Sequence, residues 1–305
     1  MSRPILLGPF RGEVGFEVLY WLPWVNWLLA TQRVPTERVY AVTRGGAGCW
    51  YGLPADHVLD LFTMRPIAEV RAQAHKAIVR QGALKQYTVT DWDRGVLAQA
   101  CEHWHLRQPV IIHPSQMYTL FTAYWENRAG LGDVWKRTDW RRLPVPDVSL
   151  QGVPPEFVVA RFYLRSTLQA DPELFKLVCR TLETVAKDRA VVLLDSQHHL
   201  DDHVTFPLPD LPNVFKPPAV VPEQSLAQQS AILAKAKGFL GTYGGIAQLA
   251  LRLGVPSVSW YQGLEGTFLS HLLLSHAVAA QTNTPFYVMR TQDVGMWRRL
   301  FVSGS

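Results

Sequence analysis

The stretch Gly238–Tyr261, GFLGTYGGIAQLALRLGVPSVSWY, decides the fold class. Phe239 and Leu240 close an apolar run, and Gly241, Gly244 and Gly245 cluster directly after it. Ile246, Leu249, Ala250 and Leu253 then recur at helical spacing, Gly254 stops the helix, and Val255 to Trp260 is apolar and extended again. The order is strand, glycine turn, helix, strand, which is the repeating unit of a parallel α/β sheet. Glycines let a ligand approach the backbone closely. The unpaired N–H groups and positive dipole end of the helix behind them suit a phosphate. A plain βαβ connection without a ligand is the other reading of the same residues.

With Ile232–Phe239 (ILAKAKGF) before it, this block resembles the second-domain nucleotide site of GT-B glycosyltransferases, in the style of their heptosyltransferase-like and fucosyltransferase-like branches. Thr242, Gly244 and Gly245 fill that family's Ser/Thr-containing glycine turn, and Leu253-Gly254-Val255-Pro256 fills its Leu-Gly-x-Pro step. Tyr243 stands where the family commonly has a small or acidic residue. The resemblance covers the last third of the chain in detail and the first half in layout. It implies two Rossmann-like α/β domains facing across a cleft, residues 1–150 on the acceptor side and 151–305 holding a nucleotide-sugar. It also implies a terminal helix, Val294 to Phe301, returning to the first domain.

Bulk properties agree with two medium domains. The chain has 305 residues, of which 48% are hydrophobic and 18% charged, with a formal net charge of +5. That mild basicity, without a long Lys/Arg run, points away from nucleic acid. It fits an anionic donor, or weak attraction to an acidic membrane surface. Three scattered cysteines without a CxxC pair argue against a disulfide framework and for a reducing, cytoplasmic setting, with peripheral membrane association open. No N-terminal targeting segment is expected, and Trp21 to Ala30 is too short and too interrupted to span a bilayer.

At the N-terminus, Pro4 to Leu7 reads as a buried strand. The glycine-rich Gly8-Pro9-Phe10-Arg11-Gly12-Glu13-Val14-Gly15 follows it, then a helix from Phe16 to Thr31 that Pro23 interrupts. The glycine spacing is not that of a dinucleotide fingerprint. Arg38 to Thr43 is a second strand, followed by the Arg44–Gly48 loop, read as a flexible connection. Val110 to His113 reads as a clean buried strand leading into a loop, Pro114 to Tyr118. The aromatics between Tyr118 and Trp140 read as core ahead of a sugar-stacking platform. The proline-rich Leu143–Pro155 reads as the interdomain linker. In the second half, Phe157 to Ala160 is a strand with Arg161-Phe162-Tyr163-Leu164-Arg165-Ser166 at its C-terminal end, where open α/β sheets bind ligands. Asp171 should cap a helix from Pro172 to Lys187. His198, His199, Asp201, Asp202 and His203 are dense enough to consider a metal, although their irregular spacing favours a solvated loop.

Sugar transfer from a nucleotide donor needs charge neutralisation at the diphosphate, a base for the acceptor hydroxyl and polar contacts to the donor. Arg161 and Arg165, with the N–H groups of Thr242–Gly245, can take the diphosphate without a metal, because guanidinium forks match phosphate geometry. Glu223 and Lys216 are further donor-side candidates. The resemblance places a carboxylate base in the loop after the first strand, where Glu13 lies, with Glu17 one helical turn later. Either could instead stabilise the helix start. Arg11, Gly12 and His113 complete the acceptor side. The Asp-x-Asp motif of metal-dependent transferases is absent, as are hydrolase and NTPase motifs. The expectation is a metal-independent glycosyltransferase, inverting, with a carboxylate base. It needs no cofactor besides its nucleotide-sugar substrate, and its acceptor is a glycan, lipid-linked group or protein. A nucleotide-sugar epimerase of the same fold, or a non-catalytic nucleotide- or glycan-binding protein, are the alternatives.

Overall fold

The computed structural model describes residues 3–81, 85–165, 168–194, 198, 204–263 and 268–294. They form two α/β units. Unit 1 comprises the described residues of 3–148 together with 198 and 220–231; unit 2 comprises those of 149–194, 204–219 and 232–294.

Unit 1 is built on four parallel strands, β1 (Ile5–Leu7), β2 (Val39–Thr43), β3 (Val58–Asp60) and β4 (Val110–Ile112), in the order β3-β2-β1-β4. Leu6 and Val42 face a core shared with Leu61, Val70, Val96 and Leu97. Beyond β1 the chain is helical from Val14 to Thr31, but it changes gauge: an α-turn at Val14–Phe16, a π-helical stretch at Glu17–Trp21, then α-helix at Leu22–Thr31. Pro23 stands at the start of the last segment, where its missing N–H is tolerated. This helix and Pro114–Trp125 share an aromatic core. Trp125 meets Phe16 and Tyr20 edge-on, both at 5.2 Å between ring centroids.

Two expectations are corrected in unit 1. Pro114 to Tyr118 is the first turn of a twelve-residue helix capped by His113, not a loop; proline at the first position suits a helix start. And β4 is an edge strand, so Val110 and Ile111 remain 41% and 42% exposed rather than buried. A continuous apolar run cannot say which side of a strand lacks a neighbour.

Unit 2 has six parallel strands: β5 (Phe157–Arg161), β7 (Ala190–Leu193), β9 (Val214–Phe215), β10 (Phe239–Thr242), β11 (Ser257–Tyr261) and β12 (Phe286–Arg290), ordered β12-β11-β10-β5-β7-β9. A small antiparallel pair, β6 (Tyr163–Leu164) with β8 (Val204–Thr205), lies outside this sheet. The Pro172–Asp188 helix starts as expected, with Asp171 accepting from the N–H groups of Glu173 and Leu174. Its Leu174, Val178 and Leu182 pack on Ala160, Val191 and Trp260. Burying each such side chain contributes about 1.5–3 kcal/mol. The decisive stretch folds as read: β10, helix Gly245–Leu253, a left-handed Gly254 (φ 76°) and β11. The expected terminal helix from Val294 onward lies outside the described residues, Val294 excepted. So does the histidine-rich segment, His198 excepted.

Candidate functional site

In unit 2 the chemistry gathers where β5 and β10, neighbours in the sheet, both end. Gly241 pairs with Arg161, and a Cβ on Gly241 would strike the Arg161 carbonyl, so only glycine permits this register. Beyond β5 the chain stays extended, and the period of two puts Arg161, Tyr163 and Arg165 on one side. The Arg161 guanidinium lies 5.6 Å from the Tyr163 ring centroid. Tyr163 Oη touches Gly244 so closely that a Cβ there has no room, and Arg165 Nη1 is 4.0 Å from the same point. Gly244 is the N-cap of Gly245–Leu253, whose first turn contains no acidic residue. One aromatic hydroxyl and a guanidinium therefore stand beside a helix N-terminus, with a second guanidinium stacked behind.

Two candidates in this turn are tied into the fold, and the Tyr243 N–H donates to the Trp260 carbonyl at 2.9 Å. Thr242 Oγ1 donates to the Tyr163 carbonyl and accepts from the Tyr163 N–H, both at 3.0 Å, tying the end of β10 to β6. Tyr243 turns into the core: its ring packs on Phe268 and Phe286, and its hydroxyl lies 3.1 Å from Ser275 Oγ and accepts from Gln248. The tyrosine side chain thus fills the interior of unit 2. Lys216 is exposed at the end of the edge strand β9, with β5 and β7 separating that strand from β10. Glu223 belongs to unit 1, where its carbonyl approaches Gly46, so it is not a neighbour of the Gly244 turn within unit 2.

In unit 1 the turn after β1 is held by two buried ion pairs. Glu17 is fully buried. Its carboxylate accepts from Thr43 Oγ1 at 2.9 Å, Tyr51 Oη at 2.8 Å and Arg44 Nη1 at 2.7 Å. Arg44 also donates to the Gly12 carbonyl, and Trp21 Nε1 donates to Tyr51 Oη at 3.0 Å. Burial, reinforced by the Glu17 charge, holds the Tyr51 phenol well above its ordinary range and pushes the nearby Cys49 thiol up to about 12. Three donors face the buried Glu17 carboxylate, two on Oε1 and one on Oε2, so the side chain ties the loop to β2 and to Tyr51.

The second pair joins Arg11 Nε to Asp93 Oδ1 at 3.2 Å. Asp93 also forms a capping box with Thr90, and His113 Nε2 lies 3.7 Å from its Oδ2. Burial opposes the charge on Asp93, but His113, Arg11 and Thr90 together hold its carboxyl well below the usual range. His113 Nδ1 accepts the Ser115 N–H at 3.1 Å, which leaves the proton on Nε2, toward Asp93. His113 thereby caps the helix and braces Asp93. Gln86 completes the frame, accepting from the Arg11 N–H and donating to the Pro9 carbonyl.

Glu13 differs from Glu17. It is half-buried at the cap of Val14–Phe16 without a side-chain capping bond. Lys85 is close enough for Glu13 to oppose the desolvation that lowers its pKa, and the Glu13 charge helps raise the Tyr118 phenol. Gly12 lies against Tyr118: a Cβ there would be 3.0 Å from Tyr118 Oη. Arg44, Tyr51 and Asp93 were not among the sequence candidates. The Thr90-x-x-Asp93 spacing signals the cap, but nothing in it announces a partner 82 residues away. Among the described residues no group of three potential ligands could hold a metal ion, and no helix is long and apolar enough to cross a membrane.

No protein-family model and no curated protein matches the chain. Among solved structures it is similar to a glycosyl transferase family 9 protein from Veillonella parvula, at 10% identity over 98% of this chain and 89% of that one, with a TM-score of 0.47. It is also similar to the E. coli heptosyltransferase WaaC with ADP (13% identity, 98% and 99% covered, TM-score 0.46). A UDP-N-acetylglucosamine 2-epimerase scores lower (12% identity, 100% and 88% covered, TM-score 0.39).

Proposed function

We propose that the chain is a glycosyltransferase of the GT-B type that moves a sugar from a nucleoside-diphosphate donor to an acceptor hydroxyl. The observation that carries this reading is the end of β5 and β10 in unit 2: Arg161, Tyr163 and Arg165 on one side, beside the Gly244–Gly245 start of an acid-free helix. Two guanidiniums and a helix N-terminus suit a diphosphate, whose charge grows as it departs. Unit 1 supplies the base. The acceptor oxygen attacks the anomeric carbon, the bond from that carbon to the diphosphate oxygen breaks with its electron pair leaving on the diphosphate, and the hydroxyl proton passes to Glu13. Inversion and independence of metal follow from this assignment of roles. Arg44 and Glu17 keep the Glu13 loop in place.

A thermal-shift screen of nucleoside diphosphates and nucleotide sugars tests the donor half, since a ligand held only by the folded state raises its melting temperature. Turnover tests the rest. Nucleotide release that needs an added acceptor supports transfer. Failure of every nucleotide to stabilise the protein sinks the reading.

A further inference from the structure

Unit 1 carries an open groove of about 580 Å³ that the transfer scheme leaves unused. Small-molecule sites run from ~300 to 1,000 Å³, mostly apolar with a few placed polar groups. Here Val89, Leu97, Ala98, Cys101 and Ile111 supply the apolar wall. Among the described residues the polar lining is Arg94, His113, Ser115 and Gln116, without a carboxylate. Ser115 and Gln116 belong to the first turn of the twelve-residue Pro114–Trp125 helix, where their N–H groups already donate to His113 Nδ1 and to the His113 carbonyl, which leaves Arg94 as the cation of the lining. Arg94 is exposed and pairs with Asp91 on its own helix, at 2.8 Å, an arrangement that holds a guanidinium weakly. The wall asks for an apolar body and the polar lining for a negative head.

The geometry points to a binding site for an amphipathic anion, its alkyl or aryl body against Val89, Leu97 and Ile111 and its acidic group at Arg94. The site adjoins the catalytic loop through buried side chains: His113 lines the groove and faces Asp93, and Asp93 holds Arg11, two residues before Glu13. Taking this ligand as the apolar, acidic part of the sugar acceptor rests on the glycosyl-transfer reading; the binding itself does not.

Calorimetric titration with decanoate and 2-naphthoate, and with decanol as the uncharged control, tests the site on the full chain. Mass-spectrometric mapping of thiol labelling gives the location, because Cys101 lines the groove and Cys49 and Cys179 do not. At least one of the two acids should bind and slow Cys101 labelling about tenfold or more, with the other two thiols unaffected. Ala98 is on the wall yet exposed, so Ala98→Trp should fill the groove and abolish binding without lowering the melting temperature. Arg94→Ala should weaken the acid roughly tenfold or more and leave decanol unchanged. Absence of binding by both acids overturns the proposal. So does binding that survives Ala98→Trp, or protection equal at all three thiols. Nucleoside-diphosphate binding on the same samples keeps the two readings apart. Diphosphate binding without acid binding removes the groove site alone, and the converse removes the donor assignment alone.

Discussion

Two glycine turns in this chain each lead from an interior parallel strand into a helix, and only the first carries carboxylates. The turn after β1 carries Glu13 at the helix cap and Glu17 one turn in. The turn after β10 has no acid in its first helical turn, and Arg165 stands beside Gly244. Both helices present a positive end. In unit 1 the protein answers that end with its own carboxylates. In unit 2 it adds further positive charge. Topology makes both turns candidate anion sites; carboxylates mark the first and a guanidinium beside Gly244 the second.

Removing the carboxylate from the first turn should have the largest effect. Glu13→Gln is nearly isosteric, so fold and diphosphate affinity should be kept while turnover falls about 10²–10⁴-fold. The acidic limb of the pH–rate profile should disappear with it. Steady-state kinetics with and without saturating donor checks this, and a near-normal rate removes Glu13 as base.

Glu17→Gln breaks the same turn differently. It leaves Arg44 buried without its counter-charge, and losing one partner of a buried pair costs about 3–5 kcal/mol of stability. Chemical denaturation should show that loss. In the fraction that stays folded, turnover should fall less than in Glu13→Gln. A stable Glu17→Gln protein with the larger kinetic defect would exchange their roles.

A third glycine turn, Gly45–Gly46, follows the acidic pattern of unit 1 and gives it a pH signature. Asp60 accepts from the Gly46 and Phe62 N–H groups, yet burial raises its carboxyl to about 6. An unfolded aspartate titrates near ~3.9. The folded state therefore binds the proton more tightly between those values. The stabilisation is fully present below the unfolded value and is lost as pH rises through about 6. It amounts to roughly 3 kcal/mol. Denaturation midpoints between pH 4 and 7 should fall in the wild type and stay flatter in Asp60→Asn; parallel curves would contradict the assignment.

The second turn was legible in the sequence and the first was legible only in outline. The whole of Gly238–Tyr261 is local: glycines, helical period and strand lie next to one another, so the sequence order is the structural order. The alternation of Arg161, Tyr163 and Arg165 was equally local, and Tyr163 could have been singled out by its spacing alone. Unit 1 instead depends on pairings over long separations, Glu17 to Arg44 and Arg11 to Asp93. No periodicity encodes those. Arg44 sat in plain view within Arg44-Gly45-Gly46 and read as part of a flexible connection, because its partner is hidden on a helix that changes gauge at Glu17. Tyr243 misled for the converse reason: a residue inside a glycine turn after a strand can still point inward.

Replacing positive charge at the second turn should have a smaller effect than Glu13→Gln. A charge-assisted bond to the leaving diphosphate is worth roughly 1.5–3 kcal/mol, so Arg165→Ala should lower turnover on the order of ten- to a hundredfold, and Arg161→Ala similarly. Turnover should suffer more than donor affinity, because the added charge arises in the transition state.

The smallest expected effect is none at all, and it tests what the second turn is for. If Arg161, Arg165 and the N–H groups at Gly244–Gly245 take the diphosphate charge, a divalent ion has no charge left to neutralise there. Turnover should then stay within about twofold when a chelator is added, since a change below ~0.4 kcal/mol is no lost phosphate contact. Arg165→Ala sharpens the test. With one guanidinium gone, added magnesium should restore part of the lost turnover in the variant while leaving the wild type unchanged. That asymmetry requires the arginine to occupy the role a metal would otherwise fill. Chelator inhibition of the wild type, reversed by a divalent ion, would show that the phosphates are managed by metal, and the contrast between an acidic and a basic turn would lose its functional meaning.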